Sequence, residues 1–465
     1  MSNKILLLLL ITLITLTPAK TSASEYVWQK SVEKGIDYIH IKRKTLSGSL
    51  HIHLLAIDLK NENIEIRPEL ARGRIGDLEK TSNIALGCNA IAAINGSFFV
   101  TEKDSSLPLG NLIIDNKLLS KSILNRTAIG FTKDKKIIFG IPKIKGYVIN
   151  RRNRKGVEIW GVNRPRKQNE TIIYTSEYGG STKTNQWGKE LIVNKNDNVI
   201  KKRKFKGSTK IPKDGFVVSL HGWSRDFYDN IKVGDKLELK YKFVDGWQNA
   251  SHAVTGGPLL IKNGNIVVDK SIKDEKMSSY LLPPNSRTAI GVNKDNKLIL
   301  AVIDKRYAIS KGATYNELAQ VLKKFGVRDA MGLDGGGTST MYISGRVVNY
   351  PLNFNERAVS NAIVVRHKNW DLSDAFVEQK LFVSSNSSLT KNAFRKIIKE
   401  KSDLTPASYI FRPEDYGLYG IKQLYKQLIK PLINENKYTY RPESFLNAED
   451  LSVFSQGRSR SDLPK

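Results

Sequence analysis

Cysteine is almost missing from this chain: Cys88 is the only one among 465 residues. That excludes an intrachain disulfide and any structural zinc site built from thiolates. Without such staples the chain must bury a real core, and its 40% hydrophobic content permits one. Cys88 sits in the apolar stretch 84–94 and reads as a small buried hydrophobe rather than a nucleophile. Long apolar runs are missing beyond the first residues. Ile5 to Leu16 is apolar except at Thr12 and Thr15, follows Lys4 and is closed by Pro18 and Lys20, with Thr21-Ser22-Ala23 offering small residues for cleavage. The run is short for a permanent span and reads as a signal peptide over residues 1–23, with an uncleaved membrane anchor as the competing reading. The expectation is a secreted or cell-envelope protein, outside the cytoplasm, with no integral membrane segment after signal cleavage. Histidine is scarce at six, and only His51 and His53 lie close together. On a strand they would share a side, which is more often coincidence than a metal pair. A histidine-built two-metal site is thus disfavoured; no cofactor is required, and an oxygen-ligated divalent cation such as Ca2+ stays open.

Acidic residues are outnumbered: 45 against 75 Lys and Arg, a formal charge of +30, or about +28 without the leader. Such a surface attracts polyanions. For an exported protein the expected partners are a sugar-phosphate or anionic glycan substrate and, electrostatically, cell-wall polymer, with no nucleic acid. The charge concentrates between Lys143 and Lys210, in runs such as Arg151-Arg152-Asn153-Arg154-Lys155 and Lys201-Lys202-Arg203-Lys204. A solvated face in a lysine-rich chain is the competing reading.

Residues 24–370 read as a strand-rich α+β domain of the broad α/β class. Alternation in 52–58 and 236–241 suits half-buried strands. Asp115-Asn116-Lys117 and Asn263-Gly264-Asn265 are turn chemistry between apolar runs and predict hairpins. Residues 110–117 resemble 257–264, and Arg126-Thr127-Ala128-Ile129-Gly130 returns letter for letter as Arg287-Thr288-Ala289-Ile290-Gly291. The repeat predicts two related lobes of mixed sheet with packed helices, separated by a basic insertion at about 140–212. Thr314-Tyr315-Asn316-Glu317 is a capping box opening a helix with Leu318, Val321, Leu322 and Phe325 on one face and Gly326 as its stop. The following 327–333 reads as a buried strand that delivers Asp334. Residues 371–465 carry helical spacing and predict a small C-terminal extension of unreadable role.

Four patches place glycines and polar groups at strand ends, where sites are commonly assembled. They are Asn95-Gly96-Ser97-Phe98-Phe99, Thr255-Gly256-Gly257-Pro258, Asp334-Gly335-Gly336-Gly337-Thr338 and Glu356-Arg357-Ala358-Val359-Ser360-Asn361. Consecutive glycines let backbone amides form an anion nest, arginine matches phosphate oxygens, and carboxylates supply acid, base or nucleophile. Singly each patch is as well read as a turn or a surface ion pair.

In this order, together with Arg287-Thr288-Ala289-Ile290-Gly291, the blocks resemble the phosphodiester glycosidase family over about residues 50–366. Two departures stand out: Asp304-Lys305-Arg306 where the family commonly has Asp-Gly-Arg, and Ala358 where proline is frequent. The resemblance implies an enzyme that hydrolyses sugar-1-phosphodiesters on the sugar side, releasing sugar and phosphomonoester. It implies Asp334 as base or nucleophile with Glu356 as its carboxylate partner, and Arg287 and Arg357 on the phosphate. Asn95, Gly96, Thr255, Gly256, Gly257, Gly335, Gly336 and Asn361 would bind substrate or orient the carboxylates. Two other classes compete: a non-catalytic binding module for anionic wall polymer, and a metal-dependent phosphodiesterase.

Overall fold

The computed structural model describes residues 25–370, apart from 46–47, 103–104, 122–123, 245, 308 and 353–354. The leader and the predicted C-terminal extension lie outside the described residues. Within them, β-branched and alternating segments form antiparallel sheets, the expected strand-rich α+β class. Pairing is less mixed than the sequence suggested: among the named strands only Gly161–Val162 and Thr171–Thr175 run parallel.

The letter-for-letter repeat is a repeat of topology. One sheet runs Ile137–Gly140, Ala128–Thr132, Ala250–Thr255, Leu112–Ile114, Lys117–Ser120. Five strands of a larger sheet run, in the same relative order, Lys297–Ile303, Arg287–Asn293, Val327–Gly332, Leu259–Lys262, Asn265–Ile266. In each copy two hairpins, one of them predicted, flank a third strand that arrives later in the chain. Backbone bonds match too: Gly256 N–H reaches Thr127 O at 2.9 Å, as Leu333 N–H reaches Thr288 O at 2.9 Å. Gly257 therefore stands where the second copy has Asp334. The copies meet where their late strands end, through Gly257 N–H to Gly332 O and Gly332 N–H to Pro258 O, both 2.9 Å.

The late strands arrive by different routes. In the second copy the crossover contains the helix Tyr315–Lys324, whose predicted capping box is present: Glu317 N–H reaches Thr314 Oγ1 and Thr314 N–H reaches Glu317 Oε2. Its Leu318, Val321 and Leu322 pack on Leu260, Ala289, Ile299 and Ala330 of the sheet. In the first copy the crossover is the basic insertion, which carries two sheets of its own and runs on to Ala250, well past residue 212. Its core joins Val148, Leu191 and Val218 to Ile113, Ala128 and Ala253 of the first copy.

The larger sheet continues from Lys297–Ile303 through Gly48–Asp58, Ile36–Thr45 and Glu25–Glu33. Residues 52–57 are buried throughout rather than half-buried. The helix covers one face of this sheet, and the other face joins Ile94, Ile129, Val254 and Ile363 in the main core. A third sheet, Arg346–Val347, Met341–Ile343, Ala92–Asn95, Asn361–His367, Ile64–Leu70, completes that core. Cys88 is partly buried, and burial pushes its thiol up, as for an inert side chain. Among the described residues no helix is long and apolar enough to cross a membrane.

Candidate active site

The strand Val327–Gly332 is buried toward its end and releases the chain at Leu333, so Asp334 emerges where the sheets converge. Its N–H bonds Gly96 O at 3.2 Å, and its Oδ1 accepts the Gly335 N–H at 3.0 Å. The carboxyl is only partly open to water, and burial pushes it up to about 6, against the opposing pull of the Thr338 hydroxyl, the Gly335 N–H and Arg357. A carboxyl in that range can exchange a proton near neutrality. The triple glycine is mainly a tight turn: Gly335 N–H is taken by Asp334, and Gly336 N–H by Ser286 O at 2.8 Å.

Asn95, Thr255 and Asn361 are buried and bonded to the protein itself. Asn95 is 0% exposed; its Nδ2 donates to Asp334 O at 2.7 Å, and its Oδ1 accepts Thr288 Oγ1 at 2.8 Å and Thr340 N–H at 3.2 Å. It is the bolt that holds the Asp334 loop on the second copy. Asn361, also 0% exposed, accepts Ser97 N–H and donates to the Ser97 and Ser360 hydroxyls. A Cβ on Gly96 would lie 2.0 Å from Asn361 Oδ1, so only glycine admits this clasp. Thr255 Oγ1 sits between Asn111 N and Asn111 O at 2.9 and 3.0 Å. Gly257 has φ 107, and a Cβ there would meet Glu275 Oε2 at 2.2 Å. Gly256 is equally closed in, with Gly332 O 2.4 Å from its Cβ position.

The charged candidates separate. Arg357 is exposed and lies along the glycine turn, its Cδ 3.5 Å from the Cβ position of Gly337 and its guanidinium 5.7 Å from the Phe99 ring centre. Glu356 turns the other way: Oε2 accepts the Ser82 N–H at 3.0 Å at the start of the helix Thr81–Gly87, and burial pushes its carboxyl up. One oxygen of this carboxyl thus holds the loop to the helix, and the other, Oε1, is buried without a hydrogen-bond partner. Arg287 is 3% exposed. Its Nε donates to Ala313 O at 2.8 Å, its Nη2 to the Leu282 and Pro283 carbonyls, and its plane lies 4.0 Å from the Tyr315 ring centre. It knits the loops around 282 and 313 to its own strand.

His51 and His53 are both buried in a polar network. His53 bonds Asp304 at 2.9 Å and the Tyr38 hydroxyl at 2.7 Å, while His40 stacks on it at 4.5 Å. Asp304 also accepts from Asn349, which binds Ser339 O and Met341 N, so this network braces the segment after the glycine turn. Lys305, the departure from the family pattern, reaches Pro284 O at 2.9 Å beside the carbonyls that hold Arg287. Among the described residues no group of three His, Cys, Asp or Glu side chains is placed to hold a metal ion.

Two residues escaped the sequence reading. Tyr315 lies between Arg287 and the Asp334 strand, 3.2 Å from the Cβ position of Gly332. Arg126, the first-copy counterpart of Arg287, lies over Phe98 at 5.4 Å. The repeated pentapeptide holds the signal for Arg126, which stands in its first copy where Arg287 stands in the second.

Residues 188–366 match the model of the family described as phosphodiester glycosidase. The match starts inside the insertion and leaves out most of the first copy. The N-acetylglucosamine-1-phosphodiester alpha-N-acetylglucosaminidase of Mus musculus is 31% identical over 150 residues, 30% of this chain and 29% of that protein. The enzyme of that name from Homo sapiens is 31% identical over 106 residues, 21% and 20% of the two chains. The chain thus spans less than a third of these mammalian relatives. An uncharacterized protein of Rickettsia conorii is 26% identical over 240 residues, 48% of this chain and 78% of its own. A solved hypothetical protein from Synechocystis shares the fold with a TM-score of 0.63 at 24% identity, over 73% of this chain and 63% of that one.

Proposed function

We propose that this chain, which carries a phosphodiester glycosidase family domain across residues 188–366, hydrolyses the bond between the anomeric carbon of a sugar and its phosphodiester oxygen. The observation that carries the reading is Asp334: a strand-end carboxyl raised to about 6 that accepts the Gly335 N–H, on a loop pinned by Asn95 at the Asp334 main-chain carbonyl and bordered by the exposed Arg357. Such a group is ionised at neutral pH yet basic enough to attack the anomeric carbon or take a proton from attacking water. The carbon–oxygen bond breaks, the phosphate keeps the bridging oxygen and both electrons, and water supplies the hydroxyl of the freed sugar. A phosphomonoester leaves as a stabilised anion, so neutralising its charge matters more than protonating it. That suits a carboxylate bordered by a cation, as Asp334 is by Arg357. Incubation with a panel of sugar-1-phosphodiesters in 18O-labelled water tests the reaction. Label in the sugar supports cleavage at carbon; label in the phosphate overturns it in favour of attack at phosphorus.

The physiological setting belongs to the same proposal: export by the N-terminal leader and action on a phosphate-containing glycan or wall polymer. The insertion supports a second, non-catalytic role in holding such a polymer. Trp223 is 85% exposed and, with Phe205, Lys204 and Arg225, lines a cavity of about 400 Å3 on the insertion. Exposed rings can lie against sugar faces, and cations beside them suit an anionic chain.

A further inference from the structure

The internal repeat pairs Arg126 with Arg287, and the two guanidinium groups have opposite circumstances. Arg287 is enclosed by three carbonyl oxygens and the Tyr315 ring. Arg126 has no such collar: its Nε and Nη1 are shut away from solvent without a hydrogen-bond partner. A buried donor left unpaired is costly, and more so when it bears charge. Such a donor calls for a completing group, which can be a water, an ion or a ligand.

The location points to which ligand. Phe98, under the Arg126 guanidinium, is two residues from Gly96, whose carbonyl holds the Asp334 N–H. On the other side, Arg126 Cδ lies 3.8 Å from the Cβ position of Gly257, the first-copy counterpart of Asp334. Gly257 is itself bonded to Gly332, two residues before Asp334. The charges of Arg126 and Asp334 both act on the Tyr315 hydroxyl. Two separate backbone routes and one shared neighbour thus link the arginine of the first copy to the segment that carries the carboxylate of the second. The Glu275 carboxylate, which also borders Gly257, is engaged elsewhere: Oε1 accepts from Thr127 Oγ1, the Leu259 N–H and the Ser271 hydroxyl, and Oε2 from the Thr127 N–H.

We propose that Arg126 forms the anion site of this centre and holds the phosphate of the substrate, the task the sequence assigned to Arg287. The inference rests on the phosphodiester reading for the identity of the anion, while the anion site itself stands on the unpaired guanidinium. Each copy of the repeat then contributes one charge, the first the cation for the leaving group and the second the carboxylate for the anomeric carbon.

The test uses the full chain and inorganic phosphate, titrated calorimetrically at pH 7.5 into wild type, Arg126→Gln, Arg126→Lys and Arg287→Gln, with thermal midpoints measured without phosphate. Arg126→Gln is expected to weaken phosphate binding at least tenfold and Arg126→Lys less. Ligand-free Arg126→Gln should be as stable as wild type or more so, whereas Arg287→Gln should melt earlier. Phosphate binding that is absent in wild type, or unchanged in Arg126→Gln, overturns the proposal. Arg126-dependent phosphate binding in a protein that turns over no sugar-1-phosphodiester would keep the anion site and remove the glycosidase reading.

Discussion

Replacing Asp334 by asparagine should make the protein inactive and more stable at the same time. The native environment raises this carboxyl from its ordinary 3.8 to about 6, which at about 1.4 kcal/mol per unit is worth about 3 kcal/mol against the charged form. The group is partly open to water, so screening reduces the figure to about 1–2 kcal/mol. The sign follows from proton binding. Between pH 4 and 6 the folded carboxyl keeps a proton that the unfolded one has released, so wild type loses stability as pH rises through about 6. Asp334→Asn keeps the shape and the Gly335 contact and is spared that loss. In urea unfolding its advantage should be about 1–2 kcal/mol at pH 7.5 and should vanish near pH 3.5. Glu356, also pushed up by burial, is common to both proteins and cancels in the difference. Turnover should fall by a factor of about 10³ or more with little change in substrate affinity, and wild-type kcat/KM should climb through an acid limb near pH 6. An Asp334→Asn protein less stable than wild type at pH 7.5, or equally offset at pH 3.5 and 7.5, would refute the electrostatic account of the site.

Three further outcomes follow from the geometry. Arg287→Met should destabilise the fold by about 3 kcal/mol, because it strips charged donors from buried carbonyls; urea midpoints read this directly. Gly96→Ala should cost about 1–3 kcal/mol by forcing Asn361 out of its clasp, with kcat falling as the Asp334 loop loses its register. On the insertion, Lys201→Gln with Lys204→Gln should weaken binding to an anionic polymer and flatten its salt dependence, since exposed charges are screened over about 8 Å at physiological ionic strength. Lys202 is the poor choice for that experiment: its Nζ serves the Tyr228 and Ile231 carbonyls and sits 4.3 Å over the Tyr228 ring, so its loss should appear in stability first.

The capping box, the hairpin turns and the strand running into Asp334 were legible because local chemistry specifies each one. The repeated pentapeptide was legible as well, and it carried more than a pair of related lobes, since it located the axis on which the site is built. What stayed hidden was where side chains point after leaving their strands. Asn95, Thr255 and Asn361 have the composition of substrate-binding groups, and packing spends their amides and hydroxyl on the protein itself. Arg287 and Arg126 share one local sequence. Only the loops around 282 and 313, remote along the chain, make the first a structural pin and leave the second unpaired. Glu356 and Arg357 are neighbours in sequence that face opposite ways, one to a helix start and the other to the glycine turn. The full burial of 52–57 was likewise unreadable, because alternation reports one covered face and a helix distant in sequence supplies the second.

The insertion occupies the place in the first copy that the helix Tyr315–Lys324 occupies in the second, and this makes it a plug-in module. Its entry at Gly140 and exit at Ala250 are already spanned in the sister copy by one short helical crossover. The route of the chain is therefore replaceable, while the apolar face that Ile113, Ala128 and Ala253 present must still be covered by whatever is placed there. A lineage could exchange this appendage to address the same chemistry to a different polymer, and an engineer could graft another binding unit at the same two points. The graft would have one mechanical constraint: the strand leaving the module ends at Thr255-Gly256-Gly257, beside Arg126. A load pulling on a tethered module would thus be felt at the anion-holding half of the centre before it reached the carboxylate half.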